Sequence, residues 1–382
     1  MKTTKVAQWG GKEVSRLGFG CMRLPLNEDG TINRTLAAEM LDEAYNSGVN
    51  YFDTAFGYHN GESELFVGEA LKKYPRDKIS IATKLPMSQI HEEVQVEEIF
   101  NKQLEKTQME YFDFYMLHGM NGMHLPKMKN FDVYSKMKAK KDAGIIKQLG
   151  FSFHGDYATL CELVDNYEWD FVQIQINYLD YIMIDSKELY DKLCEKNIPV
   201  IVMEPVRGGF LANPPEEVAA KMSSFEGGAV SPAAWAMRWC IHMENMPVIL
   251  SGMTTMEQVK DNINTFSVAD KLTTAQIALL EECRDIVMQA KSVPCTGCRY
   301  CMDCPSGVDI PKIFSIYNEY QLFKNAFRAN NNYNVILSAS GHGSEQCIFC
   351  GICVPLCPQG IDIPAELAAA HEVLSPLAER FK

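Results

Sequence analysis

Short apolar, β-branched runs alternate with amphipathic stretches from about residue 14 to residue 253. Runs at 17–20, 50–53, 79–84, 111–118, 147–152, 171–177, 199–204 and 247–251 read as strands. Between them, segments such as 35–47, 63–73, 94–107, 157–166, 186–196, 232–242 and 255–262 carry the apolar period of helices. Eight such βα units over roughly 250 residues predict an α/β fold, a (β/α)8 TIM barrel. An open doubly wound sheet would place a glycine-rich phosphate loop after its first strand, and no G-x-G-x-x-G follows residues 17–20. Ahead of the barrel, residues 5–9 and 13–15 flank Gly10-Gly11, a β-hairpin signal placed to plug the barrel floor. One more helix is expected over 273–290, capped by Thr273 or Thr274.

At Val293-Pro294 the pattern gives way to Cys, Gly and Pro, so the chain is divided into a barrel domain, 1–290, and a small second domain, 291–382. The second domain contains a repeat: CPSGVDIP at 304–311 recurs as CPQGIDIP at 357–364. A helical insert, 311–328, and a polar loop, 329–344, are expected between the copies, with an Ala-rich helix at the end.

Composition narrows the function. Of 382 residues 47% are hydrophobic and 22% charged, which is ordinary globular usage. The net charge is −13, with only −1 of it on residues 291–382, and so acidic a body argues against nucleic acid as a partner. No apolar run is long enough for a membrane span and the first residues lack a signal-peptide core, so no membrane association and a cytoplasmic location are expected. Thirteen cysteines in such a chain point to metal or redox chemistry instead of disulfides.

Eight of the thirteen form two runs: Cys295, Cys298, Cys301 and Cys304, then Cys347, Cys350, Cys353 and Cys357, each closed by Pro. Spacings this short wrap a loop around an iron–sulfur cubane, with the Cys ahead of Pro free to reach a second one. Two four-cysteine zinc sites are the alternative. The domain resembles the bacterial two-cluster ferredoxins over residues 291–365, although the last gap of the first run is two residues where that pattern has three. The resemblance implies two [4Fe–4S] clusters, one on Cys295, Cys298, Cys301 and Cys357, the other on Cys347, Cys350, Cys353 and Cys304. Either electron transfer or stapling of the fold fits this reading. Among the other cysteines, Cys161, Cys194 and Cys240 fall on helix faces as small hydrophobes, and Cys21 lies just beyond the first strand.

TIM-barrel sites lie at the C-terminal ends of the strands. There the sequence places Asp53, Tyr58 five residues on, Lys84 and His118, able to converge over the mouth. A Lys beside a Tyr hydroxyl is expected to lower its pKa and make it an acid usable near neutral pH. FDTAFGYHNGESE (52–64), IATKLP (81–86) and YMLHGM (115–120) resemble the aldo-keto reductase signatures in order, spacing and strand placement, over about residues 14–266. The resemblance implies that Tyr58 protonates a carbonyl oxygen as nicotinamide delivers hydride, that Lys84 and Asp53 polarise Tyr58, and that His118 orients the carbonyl.

It also implies nucleotide contacts: Ser152 and Gln173 at the nicotinamide carboxamide, Met203 where an aromatic ring usually stacks, Pro205, Arg207 and Gly208 along the diphosphate, and Gln258 and Asn262 at the adenosine. Phe153 follows Ser152 where the family has Asn. Gly252 and Gln258 stand where cations usually grip a 2′-phosphate, so NADP(H) and NAD(H) are both expected cofactors. His59, His124 and His154 are further imidazoles near the mouth, and residues 118–121 and 178–180 are the expected substrate loops.

The resulting expectation is an NAD(P)H-dependent oxidoreductase that reduces a small carbonyl or oxidises the alcohol, with a ferredoxin or flavoprotein as electron partner. The alternative is an electron-transfer protein in which the clusters are the active centres and the barrel binds nucleotide.

Overall fold

The computed structural model describes residues 3–5, 9, 11, 13–184, 186–225, 230–268, 270–289, 292–302 and 304–381. Strands β1 (Thr3–Lys5) and β2 (Glu13–Ser15) pair antiparallel. The next eight are β3 (Leu17–Gly20), β4 (Tyr51–Asp53), β5 (Ser80–Pro86), β6 (Phe112–Met120), β7 (Ile146–Phe153), β8 (Phe171–Gln175), β9 (Val200–Met203) and β10 (Val248–Gly252). Their order is β10-β3-β4-β5-β6-β7-β8-β9, and β9 pairs with β10 to close the ring. This is the (β/α)8 barrel the alternation predicts.

Strand burial explains the apolar runs. All seven residues of β5 are buried, because a barrel strand faces packed side chains inside and helices outside. The surrounding helices are amphipathic: in Arg34–Asn46 the buried Ala37, Met40, Leu41 and Ala44 follow helical spacing, and Asn33 caps the first turn by accepting from the Leu36 N–H. At one place two helices meet backbone to backbone. A Cβ on Gly68 would lie 2.3 Å from the Thr107 carbonyl oxygen, so only glycine lets Glu62–Leu71 approach Val94–Thr107 so closely.

The expected hairpin is present with its first strand earlier than the pattern suggested, Thr3 opposite Ser15, while residues 6–8 and Gly10 lie outside the described residues. Trp9 fills the barrel floor, its ring 4.9 Å from Phe114 and its indole N–H donating to the Asp170 carbonyl. Val14, Tyr51, Phe171 and Val248, near the N-terminal ends of their strands, pack in the same cluster.

The chain packs as two compact units, residues 1–206 with 233–273, and 207–232 with 274–382. The segment after β9 and the helix Thr274–Gln289 therefore group with the cysteine-rich part, upstream of the change in composition at 293. In the second unit the sequence repeat is a structural repeat. Gly307 and Gly360, at φ +74° and +63°, turn back on the Cys304 and Cys357 carbonyls. Asp309 and Asp362 then cap the helices Ile310–Phe323 and Ile363–Leu374, each with Pro in its first turn.

The expected polar loop at 329–344 is instead largely helical. Ala326–Asn330 runs on into a π-helix, Asn331–Ser338. Tertiary anchors override the weak helix propensity of its asparagines: Tyr333 is fully buried with its hydroxyl 2.9 Å from His371 Nδ1, and the Asn334 amide donates to the Leu374 carbonyl. No helix among the described residues is long and apolar enough to cross a membrane.

Candidate active site

Four of the predicted residues converge at the C-terminal ends of adjacent strands. The Lys84 ammonium lies 2.5 Å from Asp53 Oδ1 and donates to the Thr54 carbonyl at 2.7 Å. The second carboxylate oxygen of Asp53 accepts from the Gln173 amide at 3.2 Å. Lys84 Nζ is 4.9 Å from the centre of the Tyr58 ring, and that ring meets His118 edge-on with centroids 5.9 Å apart. Directly after Tyr58 the chain turns through His59 and Asn60, both at left-handed φ, and His59 Nε2 accepts from the Leu24 N–H. His59 thus braces the turn that presents Tyr58. His118 lies in β6 where its register against β7 shifts, between Leu117 and Met120.

Burial sets the charge states. It raises the Asp53 carboxyl, against the opposing pull of Lys84. It also pushes the Tyr58 phenol well above its ordinary value, followed by the negative charges of Asp53 and Glu204, with Arg23 opposing. The expected lowering by Lys84 is therefore not what governs Tyr58, because desolvation and the nearby carboxylates outweigh it. His118 is held well below an ordinary imidazole by burial, then by Lys84, His154 and His124. His154 is lowered to about 4 by burial. The site thus pairs a protonated phenol with a neutral imidazole. Cys21 is buried and its thiol is pushed up, so it packs as an inert side chain.

Behind Lys84 stands a buried network that the sequence reading did not single out. Glu64 accepts from Thr83 Oγ1 and Gln103 Nε2, both at 2.6 Å, and from Lys106 Nζ at 2.9 Å. Gln103 also donates to the Lys84 carbonyl and accepts from the Tyr115 hydroxyl. A Glu on the buried face of a helix, between Ser63 and Phe66, was the available signal.

The nucleotide candidates are more dispersed. Ser152 is buried and its hydroxyl accepts from the Gly119 N–H, while Gln173 is tied to Asp53 and Met203 packs on the floor cluster. Gln258 turns back to accept from the N–H groups of Thr254 and Thr255, and Asn262 donates to Ser251 Oγ. Pro205 follows β9, whereas Arg207 and Gly208 belong to the second unit. The Arg23 side chain lies against Gly252, 3.2 Å from where a Cβ would be. Of the expected substrate loops, Asp180 is buried and accepts from Gln175 and Asn177, and Asn121 Oδ1 accepts from the Met123 and His124 N–H groups at the entry to the helix His124–Asn130, so both loops are internally braced.

In the second unit, Cys295, Cys298, Cys301 and Cys357 line one pocket together with Ile310, Phe314, Ile361 and Ile363. Burial and the three neighbouring cysteines push the Cys301 thiol up to about 12. Cys304, Cys347 and Cys350 are the corresponding neighbours of Cys353. The fold therefore brings the last cysteine of each run to the other run. Four soft thiols around one apolar-lined pocket suit a polynuclear iron–sulfur group.

The aldo/keto reductase family model matches residues 16–285. The chain belongs to that family. In this aldo/keto reductase a 4Fe-4S dicluster domain follows at residues 294–361. It is 24% identical over 320 residues to the NADH-specific methylglyoxal reductase of Escherichia coli, covering 70% of this chain and 94% of that one. It is 25% identical over 296 residues to L-galactose dehydrogenase of Arabidopsis thaliana, covering 71% and 90%. The holo aldo-keto reductase AKR11C1 from Bacillus halodurans matches with a TM-score of 0.62 at 24% identity, over 74% of this chain and 96% of that one. A Klebsiella pneumoniae aldo/keto reductase in complex with NADP and acetate matches with a TM-score of 0.61 at 17% identity, over 74% and 95%. These likenesses cover the barrel fold.

Proposed function

We propose that the barrel reduces a small carbonyl compound with NAD(P)H, and that the second domain holds two [4Fe–4S] clusters. The observation that carries the first reading is the buried Asp53–Lys84 pair set against the Tyr58 ring, with His118 edge-on to that ring. When bound, the dihydronicotinamide supplies a hydride. Tyr58 gives its hydroxyl proton to the carbonyl oxygen, a role suited to a phenol that burial keeps protonated. Lys84, fixed by Asp53 Oδ1 and the Thr54 carbonyl, places positive charge where alkoxide character develops. His118, neutral, orients the carbonyl by hydrogen bonding. Ser152 and Gln173 are assigned to the nicotinamide side of the site.

The cluster ligands are assigned as Cys295, Cys298, Cys301 and Cys357 for one centre, and Cys347, Cys350, Cys353 and Cys304 for the other. The shared cavity of the first four supports this division. The chemistry the clusters supply is one-electron storage at low potential.

The test is anaerobic turnover of methylglyoxal, as a probe dicarbonyl, with NADH and NADPH in parallel. Tyr58→Phe should lower kcat at least a hundredfold while nucleotide binding and iron content stay unchanged. Undiminished turnover would remove Tyr58 from the mechanism.

A further inference from the structure

The two cysteine runs share a backbone and present different surfaces. Two and four residues after the first cysteine, both runs take left-handed φ: Gly297 (+68°) and Arg299 (+66°) in one, Phe349 (+56°) and Gly351 (+73°) in the other. The first run puts glycine where the second puts phenylalanine. A bulky side chain is strained in that conformation, and the strain persists only where something compensates for it. Packing does not compensate here, since Phe349 is 63% exposed. Ile348, Ile352 and Leu356 around it are 69%, 56% and 43% exposed, whereas Thr296, the counterpart of Ile348, is buried. Cys350, which follows Phe349 directly in this apolar stretch, is the exposed cysteine of the eight.

The stretch of chain that carries these residues is also one-sided in charge. From residue 329 to residue 379 there is no Lys or Arg, while Glu345, Asp362, Glu366, Glu372 and Glu379 are acidic. Four exposed large apolar side chains within nine residues of chain suit a contact surface, and a stretch of single-sign charge favours a partner of opposite charge.

We propose that Ile348, Phe349, Ile352 and Leu356 form the docking face of a one-electron carrier protein whose own contact face is rimmed with Lys and Arg. The apolar stretch excludes water at the exposed Cys350, and the acidic stretch of chain preorients the carrier. In the exchange one electron leaves the reduced second-run cluster and enters the carrier's redox centre; the cluster is oxidised by one electron, the carrier is reduced by one, and no bond or proton is transferred. The inference rests on the clusters being present and is independent of the chemistry assigned to Tyr58.

Cytochrome c, a one-electron protein with a lysine-rimmed haem edge, serves as the probe. Dithionite-reduced, iron-loaded full-length protein is mixed with it anaerobically in a stopped-flow instrument, with ferricyanide as the small-molecule comparison. Ile348→Thr with Phe349→Gly copies the first run, whose backbone already accepts those residues. The cytochrome c rate should fall at least tenfold in this variant and fall with added salt in the native protein, while iron content and the ferricyanide rate hold. If the double variant loses iron, Phe349→Gly alone carries the same comparison. An unchanged cytochrome c rate in the loaded variant, or a rate indifferent to salt, overturns the docking face. So does a native dimer in sedimentation that the substitutions dissociate, which would assign the apolar stretch to a second copy of the chain. Protein that binds no iron at all would instead remove the cluster assignment.

Discussion

The Lys84 ammonium and the Asp53 carboxylate lie 2.5 Å apart, on neighbouring strands, with both side chains closed off from water. Removing one partner of such a pair strands the other's charge in a low-dielectric site and costs about 3–5 kcal/mol. Lys84→Met is therefore expected to lower both the unfolding midpoint and kcat. Asp53→Asn added to it should restore much of the stability and none of the activity, as read from thermal unfolding beside turnover. Full stability in the single variant would show that the pair is dispensable to the fold.

Because burial and Asp53 hold the Tyr58 phenol well above its ordinary value, its proton is retained throughout the neutral range. Carbonyl reduction should then be level with pH and decline only on the alkaline side, above about 10. Alcohol oxidation needs the phenolate as base and should climb with pH over the same range. Steady-state profiles in both directions check this, and a reduction rate already falling between about pH 7 and 8 would contradict the raised value.

His154 carries a stability signature. Its imidazole is lowered by burial to about 4, against 6.5 for an ordinary one. As pH falls through that window the unfolded chain takes up a proton that the folded chain refuses, so stability present above 6.5 is lost toward 4. The loss from this residue is bounded at about 3 kcal/mol. Denaturant melts from pH 7 to 4 should show the slope, and His154→Asn should flatten it.

The crossed arrangement of the last cysteines is open to iron analysis. In a background with Cys347, Cys350 and Cys353 all replaced by Ala, one centre of about four irons should remain. Adding Cys357→Ser should lower that iron, whereas adding Cys304→Ser should leave it. The reverse pattern would assign each run its own fourth ligand.

Much of this architecture is written in local pattern. Barrel strands buried on both faces, such as β5, read as unbroken apolar runs, and the strand-end position of Asp53, Lys84 and His118 follows once the strands are placed. What local pattern hides is long-range. The asparagine-rich stretch at 331–338 looks like a loop until Ser344, in the turn 344–346, and His371 and Leu374, on the helix Ile363–Leu374, are brought to it. The Tyr58 environment is similar: Lys84 and Asp53 are visible in sequence, but the burial that dominates its charge state, and the added Glu204 carboxylate, belong to the assembled mouth. Gln258 is expected at the nucleotide by resemblance, and its side chain turns back on the Thr254 and Thr255 N–H groups, a choice of rotamer that no spacing reveals.

The cavity lined by Cys295, Cys298 and Cys301 has Cys357 and Ile363 in its wall, and Ile363 opens the helix that ends at Leu374. Three thiols of that pocket come from one run and the fourth from the other, so a group bound there acts as a clasp between distant stretches of chain, and stripping it should loosen the helix Ile363–Leu374.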